Sequence, residues 1–252
     1  MNKPYFNTHL GNLYCGDCLE LLPTVPGGTI DMILCDLPYG TTGFKWDKKL
    51  PFGRLWFEYM RVIKERGVIA LTAQQAFATD LINIGRKFFR YELIWEKGLA
   101  VGYLNANKMP LRAHENILIF YKKLPVYHPQ MVLGKPYKKK RTGTKSVYGK
   151  IHKESARNNE GWRYPRSVLQ FASANAGNHG HPTEKPLALF EWLIRTYTDE
   201  GGVVLDNCVG SGTTAVAAEK LNRRWIAIEK ETEYCSIAQR RLEELGKSDG
   251  IR

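Results

Sequence analysis

One short stretch of the sequence carries groups suited to holding an amine attached to an aromatic ring. Asp36-Leu37-Pro38-Tyr39-Gly40 follows an apolar run and has the composition of a turn. The Asp36 carboxylate and the backbone carbonyl of Leu37 or Pro38 can accept both N–H bonds of such an amine and tilt its nitrogen towards tetrahedral geometry. Tyr39 offers a flat face for stacking the ring. These residues predict direct group transfer to the nitrogen lone pair, with an ordinary turn as the alternative.

A second stretch has the pattern of a cofactor loop. The apolar run Val203-Val204-Leu205 leads into Asp206–Thr214, which contains the glycines Gly210 and Gly212. Glycines after a strand let a ligand approach the backbone, and Glu229 follows the next apolar run, where an acid can accept the hydroxyls of a ribose. The third glycine of a nicotinamide site is missing. The spacing therefore favours an adenosine-type cofactor without a pyrophosphate, with a plain tight turn as the alternative.

The elements that must position these residues follow an alternating pattern. Apolar runs predict strands at 30–35, 67–72, 91–95, 115–121, 203–205 and 225–228, and helical spacing predicts helices at 50–64, 74–84, from 186, at 213–221 and at 235–245. Such alternation predicts an α/β domain whose mostly parallel sheet has helices on both faces. The pattern is lost between Val126 and about Asn178, which predicts an inserted lobe.

The charge of the chain favours a polyanionic partner. The 252 residues carry a net charge of +12, and the segment Gly134–Arg166 has eleven Lys and Arg against Glu154 and Glu160. This basic segment also contains aromatic residues, a combination suited to phosphates and bases. A solvated loop is the alternative. We predict double-stranded DNA as the partner and the following contacts: Lys138, Lys139, Lys140, Arg141 and Lys145.

Other features restrict the class of protein. The apolar runs are too short to cross a bilayer and no signal pattern is present, so we expect a cytoplasmic protein without a membrane partner. Five cysteines in such a chain predict reduced thiols. Cys15 and Cys18 form a CxxC, but a zinc site needs a second pair, so we expect no metal.

Three motifs together resemble those of the amino-methylating DNA methyltransferases. Asp36–Tyr39 resembles the DPPY motif, Asp206–Thr214 the DPFxGSGTT motif, and His181–Pro186 the HPTQKP motif. Their order is that of the β class, and the resemblance covers roughly residues 11–245. It implies a Rossmann-like S-adenosylmethionine-dependent fold with circularly permuted motifs. The implied divisions are a catalytic half (1–125), an inserted target-recognition region (126–178) and a cofactor-binding half (179–252).

The resemblance also assigns roles to single residues. Asp36, Pro38 and Tyr39 are implied to be catalytic, and Asp17 and Glu229 to hold the adenine and the ribose of S-adenosylmethionine. Thr183 and Lys185 fall near the methionine portion. The remaining implied cofactor residues are Asp206, Cys208, Gly210, Ser211, Gly212 and Thr213. The sequence departs from the family pattern at Leu37 and at Asn207-Cys208, and the second departure alters a wall of the cofactor site.

The base and the partners are predicted from the same resemblance. In this family an Asp at position 36 generally accompanies N6-adenine methylation and a Ser N4-cytosine methylation, so we expect site-specific adenine methylation of a flipped base, with N4-cytosine as the near alternative. Phe44, Lys45 and Trp46 are candidates to close over that base, or are packing residues. A non-catalytic DNA-binding protein is the rival from another class. A homodimer and a separate restriction endonuclease are left open as partners.

Overall fold

The computed structural model describes residues 3–41, 43, 47–139, 157–173 and 184–249. The chain divides into two compact units, Met1–His128 with Ser167–Arg252, and Pro129–Arg166. The described strands, in chain order, are β1 (Phe6–Asn7), β2 (Gly11–Cys15), β3 (Ile30–Cys35), β4 (Ile63–Ala73), β5 (Phe89–Val101), β6 (Arg112–Phe120), β7 (Val132–Leu133), β8 (Tyr137–Lys139), β9 (Arg157–Asn159), β10 (Trp162–Arg163), β11 (Val168–Phe171), β12 (Val203–Asp206) and β13 (Arg224–Glu229). The helices are α1 (Cys18–Leu21), α2 (Phe52–Val62), α3 (Phe77–Gly85), α4 (Leu187–Tyr197), α5 (Thr213–Lys220) and α6 (Thr232–Asp249).

The first unit is built on one nine-stranded sheet with the order β1-β2-β13-β12-β3-β4-β6-β5-β11. Strands β2, β13, β12, β3 and β4 pair in parallel, and β5 pairs in parallel with β11. Strand β6 is antiparallel to both β4 and β5. The expected mostly parallel α/β sheet is confirmed. The antiparallel direction of β6 was not predicted, since an apolar run does not encode its direction.

The central strands are apolar throughout because both faces of the sheet are covered. Along β3, Met32 and Leu34 belong to one core cluster, which includes residues of α4, α5 and α6. Ile33 and Cys35 belong to the other, which includes residues of α1, α2 and α3. Side chains alternate between the faces of a strand, so a strand buried on both sides reads as a continuous apolar run. That is why β3 was predicted with its observed bounds.

Strand β2 was missed because its sequence gives little strand signal. It begins at Gly11, which lies opposite Trp225 of β13. A Cβ at Gly11 would lie 2.2 Å from the Trp225 ring, so this position requires glycine. The Trp225 ring is buried there, with a hydrogen bond from its indole N–H to Glu219 at 2.5 Å. The glycine that weakens the sequence signal is therefore what allows the strand to pair.

The described residues of the second unit form two short antiparallel pairs. Strand β7 pairs with β10, and β8 pairs with β9. The Arg163 guanidinium lies 4.5 Å from the centroid of the Tyr137 ring and donates a hydrogen bond to the Lys135 carbonyl at 2.5 Å. This unit is narrower than the predicted insert 126–178, because β11 (Val168–Phe171) is an edge strand of the main sheet.

Among the described residues, no helix has the length and apolar character needed to cross a membrane.

Candidate functional site

The carboxyl ends of the parallel strands bring the predicted residues to one edge of the sheet. Asp36 follows β3, Asp206 ends β12, Glu229 ends β13, and Asp17 follows β2. Ligands of open α/β sheets bind at this edge. A cavity of about 1130 Å³ lies there, within the first unit, and is lined by both predicted halves. Motifs far apart in sequence therefore share one site.

Asp36 is held by three side chains at the end of the cavity where the sequence predicts catalysis, here called the catalytic end. The Tyr39 hydroxyl donates to Asp36 Oδ1 at 2.8 Å, and the Thr72 hydroxyl donates to the same oxygen. The Lys185 ammonium forms an ion pair with Asp36 Oδ2. The Asp36 side chain is 25% exposed, so the carboxylate still faces the cavity. These three contacts set the orientation of the carboxylate.

The Tyr39 ring lies between the catalytic carboxylate and an aromatic support. It packs against the Phe77 ring with centroids 4.9 Å apart, and Lys185 Nζ lies 5.7 Å from the Tyr39 centroid. Burial, followed by the charges of Asp36 and Glu115, raises the pKa of Tyr39 well above its usual value. The hydroxyl therefore remains a hydrogen-bond donor at neutral pH.

Sequence reasoning missed a group of buried charges beside Asp36. Glu115 accepts from Lys97 Nζ at 2.6 Å and from the Gln74 amide at 2.9 Å, both on Oε1. Its Oε2 has no hydrogen-bond partner but faces Lys185 Nζ at 3.5 Å. The only sequence signal was an acid at the start of the apolar run of β6. The interaction of two lysines with two acids depends on strands distant in sequence.

Lys185 pairs with two acids, a contact that the sequence did not predict. Its ammonium lies between Asp36 and Glu115, and its expected place near the methionine portion of the cofactor stays a prediction. Burial lowers the pKa of Lys185, yet the two neighbouring carboxylates outweigh burial, and the net shift is upward. Lys185 is therefore a permanent cation that supports the catalytic end.

Replacing Glu115 by alanine is expected to lower the free energy of unfolding by about 3 kcal/mol, because buried Lys97 then loses its paired acid and Lys185 keeps only Asp36. The Lys97 and Lys185 side chains are only 9% and 7% exposed, so water cannot replace the lost charge. Urea denaturation measures the effect. The control is Glu65→Ala, which breaks an exposed pair with Lys123 and should cost less than about 1 kcal/mol. Equal losses in the two variants would contradict the importance of burial here.

The cofactor end is shaped by the loop after β12. The Gly210 amide donates to Glu229 Oε2 at 2.8 Å, and the Glu231 amide donates to Oε1 at 2.9 Å. Gly212 has a φ of +89°, and a Cβ there would lie 2.8 Å from Ala238 Cβ on α6. Glycine is thus required both by the backbone conformation and by the close approach of α6.

Glu229 keeps acceptor capacity towards the cavity. The Gly210 amide takes a position on one oxygen and the Glu231 amide a position on the other, whereas a carboxylate has about four acceptor positions. Burial raises the pKa of Glu229, although the backbone amides of Glu231, Gly210 and Lys230 oppose the rise. A buried carboxylate with free acceptor positions is suited to a pair of hydroxyls.

The other predicted cofactor residues hold the loop and its neighbours. Asp17 caps α1 by accepting from the Leu19 amide at 2.9 Å, which is the largest cause of its lowered pKa, and it pairs with Lys230 at 3.1 Å. Arg241 donates to the Ser211 carbonyl at 2.8 Å and forms a 2.8 Å ion pair with Glu184. Arg241 therefore ties the segment before α4 to the cofactor loop.

Asp206 stabilises the loop after β12 through two hydrogen bonds. It accepts from the Cys208 amide at 3.0 Å and from the Thr214 hydroxyl at 2.5 Å. Burial raises the pKa of Asp206 to about 6, despite these hydrogen bonds. The neighbouring departure from the family pattern also has a structural role, because Asn207 accepts a 2.5 Å hydrogen bond from the buried Tyr59.

The raised pKa of Asp206 predicts a pH effect on stability. Folded Asp206 binds its proton at a higher pH than the unfolded chain does, so this residue stabilises the fold progressively as pH falls from about 6 to about 4. Asp206→Asn removes this effect. From about pH 7.5 to about pH 5, the unfolding free energy of the wild type should rise by about 1 kcal/mol relative to the variant. Urea titrations at both pH values measure it, and the exposed substitution Asp80→Asn, which should show no such change, is the control.

The cavity collects nearly all the predicted catalytic and cofactor residues that the structure describes. Only Gly212 does not line it, since it packs against α6 instead. Lys138 is exposed in the second unit, and Lys139 lies in β8. Predictions at Phe44, Lys45, Trp46, Lys140, Arg141, Lys145 and Thr183 lie outside the described residues. Within the described ranges, no group of three or more His, Cys, Asp or Glu is arranged to hold a metal ion.

Comparison with known proteins identifies the class. A family model described as DNA methylase matches residues 30–240, and the chain belongs to this N-6/N-4 DNA methylase family. The type II methyltransferase M2.DpnII of Streptococcus pneumoniae is 30% identical over 280 residues, covering 96% of this chain and 93% of the relative. M.HpaI of Haemophilus parainfluenzae is 28% identical over 247 residues, covering 92% and 74%.

Solved structures share the fold. The cytosine-N4-specific PvuII DNA methyltransferase has a TM-score of 0.70 at 19% identity, covering 95% of this chain and 88% of that one. The M1.HpyAVI complex with SAM has a TM-score of 0.63 at 23% identity, covering 92% and 98%. The predicted Rossmann-like methyltransferase fold is confirmed.

Proposed function

We propose that this chain is a site-specific DNA methyltransferase that moves a methyl group from S-adenosylmethionine to the exocyclic N6 amine of adenine. The observation that carries the proposal is the single cavity in which the Asp36 carboxylate and the Glu229 carboxylate both have acceptor positions. The Asp36 carboxylate can accept hydrogen bonds from an amine, and the Glu229 carboxylate can accept them from the hydroxyls of a ribose. Membership of the DNA methylase family supports the same reaction.

The cavity fits this cofactor. Ligand pockets commonly span about 300–1,000 Å³, and this one, at about 1130 Å³, has room for a nucleoside cofactor together with a base. Glu229 would hold the ribose hydroxyls, and Asp17 at the end of β2 the adenine. When bound, S-adenosylmethionine supplies an electrophilic methyl group on its sulfonium. The homologous M1.HpyAVI is itself described in complex with SAM.

Asp36 can bind the base amine in its observed orientation. A carboxylate has about four acceptor positions, of which Tyr39 and Thr72 take two on Oδ1 and Lys185 takes one on Oδ2. The remaining position on Oδ2 accepts one amine N–H. A backbone carbonyl of Leu37 or Pro38 accepts the other. Holding both N–H bonds would leave the nitrogen lone pair free to attack an electrophile.

Tyr39 and Asp36 have different parts in proton transfer at the catalytic end of the cavity. Tyr39 keeps its proton because burial raises its pKa, so the hydroxyl orients Asp36 without acting as a base. Asp36 Oδ2 is then the nearest acceptor for the proton that the nitrogen releases after transfer. Lys185, held by Glu115, maintains the position of Oδ2 during this step.

Adenine is proposed over cytosine because Asp36 stands in the position where the family generally has Asp for N6-adenine. The test is incubation of plasmid DNA with the protein and S-adenosylmethionine, followed by nucleoside mass spectrometry and single-molecule sequencing. The expected product is N6-methyladenine at one sequence motif. N4-methylcytosine would overturn the choice of base, and unmodified DNA would favour a non-catalytic binding protein.

We also propose that the basic segment 134–166 contacts DNA phosphates. Lys138 is exposed there, and the segment carries eleven cationic side chains against two acids. Replacing Lys138, Lys139 and Lys140 by alanine is expected to make the plot of log affinity against log salt concentration less steep. The slope should decrease in magnitude by about 0.9 for each lost phosphate contact. Fluorescence anisotropy at several salt concentrations measures the slope. The control is Lys3→Ala, remote from this segment in sequence, and an unchanged slope in the triple variant would contradict the contact.

The relatives are type II methyltransferases, which supports a role beside a restriction endonuclease. In this arrangement the endonuclease is a separate protein that reads the same DNA sequence. A homodimer was left open by the sequence, and sedimentation of the free and DNA-bound protein tests for one.

A further inference from the structure

The loop joining β5 and β6 exposes an unusual amount of apolar surface. Between Gly98 and Leu111, here called the hairpin tip, the exposed apolar side chains are Leu99, Val101, Tyr103, Leu104, Met109 and Leu111, with Tyr103 and Leu104 both 79% exposed. Single exposed apolar residues are common, but several within one short loop mark a binding surface.

The hairpin tip overhangs the mouth of the cavity. Cys35, which precedes Asp36, lies in register across the sheet with Leu71, Leu118 and Glu92. Strand β5 runs parallel to β3 and continues to Val101, nine residues past Glu92, a distance on the order of 30 Å. Leu99 and Val101 line the cavity. The tip therefore projects from the edge of the sheet that carries the catalytic carboxylate.

The positive charges near the hairpin tip favour DNA as its partner. Residues 98–114 contain Lys108 and Arg112, which are both exposed, and no Asp or Glu. Exposed apolar side chains accompanied by exposed cations complement DNA, because cations can face phosphates while apolar groups contact bases. A target base that turns out of a duplex also leaves an apolar gap in the stack.

We propose, on the basis of the proposed function, that the hairpin tip inserts into the duplex beside the target and fills the gap left by the base in the cavity. Tyr103 and Leu104 are the inserted side chains, since they are the most exposed and lie at the turn. Filling the gap offsets part of the stacking lost when the base leaves, so the tip promotes base extrusion and not the transfer step itself.

The test compares one duplex in two forms, with the sequence taken from the methylation map of the wild type. In the first form the target is paired, and in the second it lies opposite an abasic site and is already unpaired. The double variant Tyr103→Ala/Leu104→Ala is expected to lose on the order of tenfold in kcat/KM on the paired duplex and less than about threefold on the abasic form. Binding of S-adenosylmethionine should be unchanged. The control is Leu124→Ala, which is 66% exposed outside the tip and does not line the cavity.

Equal losses on both duplexes, or no loss on the paired one, overturn the proposal. Equal losses accompanied by a smaller mass on size-exclusion chromatography identify the tip as a contact between two copies of the chain. If the wild type methylates no DNA, both the proposed function and the insertion of the hairpin tip are contradicted. If the wild type is active and the double variant is unaffected, only the insertion of the hairpin tip is overturned.

Discussion

Asp36→Ala is expected to lower methyl transfer by on the order of 10³-fold or more, since it removes the only side-chain acceptor proposed for the amine. Binding of S-adenosylmethionine should stay within about twofold, because the proposed cofactor contacts are made elsewhere in the cavity. Single-turnover assays with radiolabelled methyl donor measure the first quantity, and calorimetric titration measures the second. Transfer at near wild-type rate in this variant is incompatible with the proposed mechanism.

Structural side effects of this change need a matched comparison. Asp36 also binds Lys185, so its loss leaves a buried ammonium with Glu115 as its nearest acid. Asp36→Asn keeps the shape but replaces one acceptor oxygen by a donor, and it should be nearly as inactive while remaining folded. Asp80→Asn removes an exposed pair with Lys49 and is the control for general effects of losing an acid. Activity lost in Asp36→Asn without a shift of its Tm assigns the loss to chemistry.

Glu229→Gln is expected to weaken cofactor binding by about 2 kcal/mol, on the order of 30-fold, because a charged acceptor of the ribose hydroxyls becomes a neutral amide. Equilibrium binding of S-adenosylhomocysteine measures the change. Glu233→Gln, which alters an exposed acid in the first turn of α6, is the control and should bind normally.

A ligand analogue can show whether Glu229→Gln weakens binding by losing ribose contacts or by disturbing the loop after β12. The analogue is S-adenosylhomocysteine without its 2′-hydroxyl. Glu229 also accepts the amides of Gly210 and Glu231, so the amide variant loosens that loop as well. If the carboxylate binds the hydroxyls, the analogue should bind the wild type on the order of tenfold more weakly than the parent ligand. The variant should distinguish the two ligands by less than about threefold. Equal discrimination by both proteins would contradict the ribose contact.

The raised pKa of Glu229 adds a pH dependence to the same prediction. Protonation removes the charged acceptor, so wild-type affinity should fall as pH decreases through a value above the usual carboxyl pKa of about 4.3. Glu229→Gln should bind independently of pH in that range. A wild-type titration as flat as that of the variant would show that this carboxylate does not contribute its charge to binding.

The strands and helices could be predicted from sequence because the apolar pattern of each short stretch determines them. The apolar run 30–35 is a strand with those bounds, and Leu187–Tyr197 and Thr213–Lys220 are helices close to the predicted positions. The limits of the inserted region were less accessible. Val168–Phe171 pairs with β5 at the edge of the main sheet, and short edge strands leave a weak pattern in a polar segment.

The sequence by itself determined the class of chemistry, because a strand end, a turn and a glycine loop are each specified within about ten residues and their order matches one family. Only the tertiary structure decided what surrounds Asp36. Lys185 reaches it across 149 positions of the chain, and Glu115 and Lys97 meet beside it from paired strands. Such contacts depend on how strands are ordered and registered in the sheet, and the types of the contacting residues do not encode that order. The acid was therefore predicted from sequence, whereas its ion pair with a buried lysine was not.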